Sequence, residues 1–123
     1  MLLMIFLPVF SFVNIDIKGL KDSYRTNEEI TFSATISGFA RQCADTQVSV
    51  VGVSRPDFKH EVYYETPVCG ADIRMFFMYD IPRDERQFSL SLDQTGTYKV
   101  MITHKGLIDG VTSSSEKEFT VIE

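Results

Sequence analysis

From Ile30 to Ser37 apolar and small polar side chains alternate without a break: Ile30, Phe32, Ala34 and Ile36 against Thr31, Ser33, Thr35 and Ser37. Successive side chains of an extended chain point to opposite faces. This stretch therefore reads as a strand with one face in a core and the other in water. The same alternation recurs at Val13, Ile15 and Ile17, at Phe88, Leu90 and Leu92, and at Tyr98, Val100 and Ile102. Val48, Val50, Val51 and Val53 form a further strand, and the slip of phase at Val50-Val51 beside Gly52 predicts a bulge there. His60 to Glu65 is a short strand ended by Pro67, and Phe119 and Val121 close the last one. Lys21 to Glu28 reads as a polar turn and Gly106 to Ser115 as a loop. No window carries helical periodicity. The pattern predicts an all-β fold, a two-sheet antiparallel sandwich of seven to eight strands.

With 123 residues the chain is one domain's worth of protein. A hydrophobic fraction of 44% argues against disorder. The formal charge of −5 opposes phosphate backbones and anionic lipid, so nucleic acid is not an expected partner. Met1 to Val13 carries no charged side chain and is nearly all apolar. It is shorter than the roughly 20 residues a spanning helix needs, and it contains Pro8. Residues 1–11 are expected to be a secretory signal peptide, with Val9-Phe10-Ser11 as the cleavage box, and 12–123 the folded domain. The alternative is that Val9 to Val13 belong to the first strand. Cys43 and Cys69 suit an exported chain, in which they would pair as a disulfide; the alternative is two free thiols. The expected location is secreted or cell-surface, with no stable membrane span.

One strand breaks the half-buried rule. Ile73-Arg-Met-Phe-Phe-Met-Tyr79 is apolar on both faces, with Ile73, Met75, Phe77 and Tyr79 on one and Phe76 and Met78 on the other. Either a long loop covers the outer face, or Phe76 and Met78 form a contact patch for a protein partner or a second copy.

The run Asp93-Gln-Thr-Gly-Thr-Tyr98 lies between two strands. It resembles the Asp-x-Gly-x-Tyr signature of immunoglobulin-like domains, with one extra residue before the glycine. Ile17-Lys-Gly-Leu-Lys-Asp-Ser-Tyr24, Glu28-Glu-Ile-Thr-Phe32, Ile36-Ser-Gly38 and Lys117 to Val121 extend the likeness. Together they resemble the small β-sandwich domains of exported archaeal surface proteins. The resemblance implies an immunoglobulin-like sandwich in which Tyr98 forms a tyrosine corner, its hydroxyl bonded to backbone near Asp93. Val100 stands where an antibody domain has its second core cysteine, and there is no tryptophan. An antibody-type domain is therefore excluded.

Motifs for chemistry are absent. His60 and His104 are the only histidines and lack the spacing to Cys69 and Met that a copper site needs; both read as lone surface residues. Two scattered cysteines and two histidines do not make a zinc site. Ser113-Ser-Ser115 reads as a solvated loop. Asp80, Asp84 and Glu85 cluster, but Arg83 and Arg86 among them favour a salt-bridged loop over a Ca²⁺ site. Tyr63-Tyr64 and Phe39 to Gln42 could present an aromatic sugar platform, the alternative being core packing. The expectation is a non-catalytic module without cofactor, structural or adhesive at the cell surface, with a strand edge or apolar strand face available for self-association. The alternative is a soluble accessory domain that binds glycan or calcium.

Overall fold

A computed structural model describes residues 12–39, 44–65, 76–83, 86–106 and 112–123. Nine strands follow in order: β1 (Phe12–Lys18), β2 (Ser23–Arg25), β3 (Ile30–Phe39), β4 (Ala44–Gly52), β5 (Lys59–Glu65), β6 (Phe76–Ile81), β7 (Phe88–Leu90), β8 (Gly96–Gly106) and β9 (Thr112–Ile122). There is no helix among the described residues. The strands form two sheets. One runs β1-β3-β6 with β7 also on β3, and the other runs β2-β9-β8-β4-β5.

Both sheets turn apolar faces into one core. The alternating residues of β3 (Ile30, Phe32, Ala34, Ile36) meet Val48 and Val50 of β4 and Tyr98, Val100 and Ile102 of β8. Burying each such side chain contributes about 1.5–3 kcal/mol before chain entropy is counted. Aromatic contacts join the layers: the ring of Tyr63 meets Phe88 at 5.1 Å, and Phe77 lies 6.3 Å from His104.

Four expectations are corrected. Among the described residues the strand count is nine, because Ser23–Arg25 is a strand and not part of a turn. It pairs with β9 in parallel, so the sheets are not wholly antiparallel. The region read as a loop, Gly106 to Ser115, lies partly in strands. The β8–β9 hairpin extends to Lys105↔Thr112, which makes Ser113 to Ser115 ladder residues. Over that part of β9 exposed and half-buried positions alternate but every side chain is Thr or Ser, so no apolar alternation marks it. The bulge lies between Val48 and Ser49 where β4 meets β5. There Val62 is the unmatched residue, while β4 pairs with β8 without a break.

β6 and β7 continue one another along β3. Ala34 pairs with Ile81 and Phe32 with Phe88, so two steps on β3 span seven on the partner. The connection leaves β6 through the cis Ile81–Pro82 bond.

Candidate functional site

β6 ends its sheet. Its inner edge is zipped to β3 from Ala34↔Ile81 to Phe39↔Phe76. No strand among the described residues pairs with its outer edge. Ile81 is fully buried and anchors the strand, and Phe77 and Tyr79 are half-buried against the core. On the other face Asp80 accepts a 2.7 Å hydrogen bond from the Thr35 hydroxyl. Met78, on that same face, is 64% exposed, the highest value for a large apolar side chain among the described residues. The side chain of Phe76 lies outside the described residues, as do Cys43 and Cys69.

Beside β6 a cross-sheet strap closes the sandwiched layers. The Arg83 guanidinium sits 4.1 Å from the centre of the Tyr79 ring and pairs through Nε with the Glu65 carboxylate of β5. Arg83 thus reaches across to the other sheet. Asp84 and Glu85 lie outside the described residues. Behind the strap, Thr46 Oγ1 lies 3.1 Å from His104 Nδ1, and both residues are buried. His104 is 3% exposed, not a surface residue. It shares the inward phase of Tyr98, Val100 and Ile102 on β8 and stacks on Phe77. His60 is exposed.

Burial pushes the Tyr79 phenol above its ordinary range. Glu65 adds to the rise, while the neighbouring Thr46 hydroxyl and Arg83 oppose it. Tyr63 is raised too, first by burial and then by Glu65. A phenol raised in the folded state favours folding below the unfolded value of about 10, and that contribution is lost as pH rises through the folded value. Stability is thus expected to fall above about pH 10, and Tyr79→Phe to make that fall shallower. Denaturant titrations on both sides of that pH measure it. Equal slopes for wild type and variant would remove Tyr79 from the account.

Tyr63 and Tyr64 do not form one platform. They lie on opposite faces of β5, Tyr63 against Phe88 and Tyr64 in solvent. Tyr98 Oη donates to the Gln94 carbonyl at 2.9 Å, one residue after Asp93, which is itself exposed. Among the described residues no group of three or more His, Cys, Asp or Glu side chains is placed to hold a metal. Nor is any helix there long and apolar enough to cross a membrane.

No family model and no curated protein matches the sequence. Solved structures do. The β-glucosidase of Listeria innocua in complex with glucose superposes with a TM-score of 0.58 at 14% identity, over 93% of this chain and 16% of that one. The same enzyme in complex with gluconolactone gives a TM-score of 0.55 at 15% identity, with the same coverage. The sporulation control protein Spo0M of Bacillus subtilis gives 0.45 at 19% identity, over 92% of this chain and 49% of that one. The chain thus spans about a sixth of the β-glucosidase, and the likeness is one of fold.

Proposed function

We propose that this chain is an immunoglobulin-like, non-catalytic contact module of the exported or cell-surface class, which associates with a second copy through β6. The observation that carries the reading is the open edge of β6 with Met78 exposed on its outer face. An unpaired edge offers a row of backbone donors and acceptors to another strand. One end strand of the other sheet, β5, is guarded by Lys59, Glu61 and Glu65, whereas β6 carries only Asp80 among its charged side chains. Strand order supports the immunoglobulin-like part: the first segment is divided between sheets as β1 and β2, and the Tyr98 hydroxyl closes the corner before β8.

The pairing register follows from the pleat. Directly opposed residues share a face, so a two-fold antiparallel pair must place like faces together. With Met78 on the axis, Met78 meets Met78 of the second copy, Phe77 meets Tyr79 and Phe76 meets Asp80. Centring on Asp80 would oppose two carboxylates and is disfavoured. Five residues of each strand (76–80) pair in this register, a small interface, so the association is weak and concentration-dependent.

Light scattering over a concentration series tests this. The wild type is expected to rise towards twice the monomer mass, and Phe76→Ser/Met78→Ser to remain monomeric with unchanged stability. A wild type that stays monomeric throughout sinks the proposal.

A further inference from the structure

A second feature, independent of β6, lies at the end of the fold that holds the Tyr98 corner. Three connections converge there: the β2–β3 turn, the β4–β5 hairpin and the β7–β8 corner. They enclose an open groove of about 330 Å³ lined by Asn27, Phe58, His60, Ser91, Leu92 and Asp93. That volume lies at the small end of the range for ligand sites. We infer that this groove is a binding site for a small saccharide.

The walls are fixed before any ligand arrives. Asn27 N donates to the Leu92 carbonyl at 2.7 Å, which ties the β2–β3 turn to the corner. Phe58 N donates to the Arg55 carbonyl and Gly52 N to the Phe58 carbonyl, each at 3.0 Å, which sets the hairpin. Phe58 packs edge-on to Tyr98 at 5.5 Å, so hairpin and corner share one wall. Asn27 holds φ at +64°, a left-handed conformation that asparagine tolerates. A rigid frame lowers the ordering cost of binding.

The polar groups of the groove are uncommitted. Among the described residues, the side chains of Asn27, His60, Ser91 and Asp93 make no hydrogen bond within the protein. Asn27, His60 and Ser91 each offer both a donor and an acceptor, and Asp93 offers acceptors. Leu92 and Phe58 supply an apolar floor. A sugar presents hydroxyls that donate and accept at once, on a ring with apolar C–H edges.

The other ligand classes fit less well. No Lys or Arg lines the groove and Asp93 repels anions, which disfavours phosphate, sulfate and carboxylate ligands. One carboxylate falls short of the six to eight oxygens that Ca²⁺ takes. An organic amine would use Asp93 and the Phe58 face, but the Arg55 guanidinium already sits 5.2 Å from that ring's centre.

The test is an amide-resolved NMR titration of the whole chain with glucose, galactose, mannose and N-acetylglucosamine, and with putrescine as the amine control. At least one sugar is expected to shift the amides of Asn27, Phe58, His60 and Ser91 to Asp93 with a dissociation constant on the order of 1 mM. The surface variant His60→Ala/Asp93→Asn, checked as folded by its own spectrum, is expected to weaken that binding by at least about tenfold. The inference is overturned if no sugar in the panel moves those amides, if the double variant binds as tightly as the wild type, or if putrescine alone moves them. None of these outcomes depends on β6, since Phe76→Ser/Met78→Ser leaves the groove intact.

Discussion

Tyr98→Ala is expected to lower the unfolding free energy by about 4 kcal/mol, the largest loss among the substitutions considered. Tyr98 is 2% exposed. Its ring lies nearly parallel to Phe119, with centroids 5.8 Å apart, and meets the edge of Phe58 at 5.5 Å. Truncation leaves a ring-sized void between three rigid elements that cannot collapse into it. It also strips the Gln94 carbonyl of its hydroxyl donor. Tyr98→Phe separates the two effects, because it keeps the ring and removes the bond; about 1 kcal/mol is expected. Denaturant midpoints for the two variants decide the matter. If Tyr98→Phe costs as much as Tyr98→Ala, the hook and not the packing holds the corner. For a domain whose total stability is about 5–15 kcal/mol, the larger loss approaches unfolding.

Gly52→Ala is expected to cost about 3 kcal/mol, although it adds a single methyl group. A Cβ at this position would lie 2.4 Å from the Arg55 carbonyl oxygen and 3.2 Å from Phe58 Cβ. The obstacle is backbone, and that carbonyl is already engaged by Phe58 N. Relief would require opening the hairpin and loosening the bond from Gly52 N to Phe58 O, also 3.0 Å. The loss should appear as a lowered denaturation midpoint together with faster amide exchange at Gly52 and Phe58. A variant within about 0.5 kcal/mol of the wild type would show that the hairpin yields more easily than its hydrogen bonds suggest.

The inward residues were legible wherever one face of a strand was apolar. Ile30, Phe32, Ala34 and Ile36 alternate in the sequence, and all four are buried. The phase of Tyr98, Val100 and Ile102 also points inward at His104, but a polar ring breaks the apolar alternation there and masks the buried position. β2 has three residues, too few for any period to declare itself, and its parallel partner is nearly a hundred residues away. The exposed half of β9 carries Ser, Glu and Lys, which look like a loop because its strand state is imposed by the β8 ladder. The two-faced character of the β6 segment was visible in its composition. The Arg83–Glu65 strap and the groove at the Tyr98 end were not, because each joins residues that only the fold brings together.

The short parallel pairing of β2 with β9 sets how the fold bears tension. A pull that enters β2 at Ser23 and leaves β9 at Ile122 drags the two strands in opposite directions along their own length. Ser23↔Thr120, Tyr24↔Val121 and Arg25↔Ile122 are then sheared together and cannot unzip one by one. The flanking bonds, Thr120 N to the Asp22 carbonyl and Thr26 N to the Ile122 carbonyl, each 2.9 Å, take load at the same moment. Tyr24, edge-on to Phe119 at 5.6 Å, has to be drawn out of the core before the strands can slide. Three consecutive residue pairs and the two flanking bonds thus carry the load together, as a mechanical clasp.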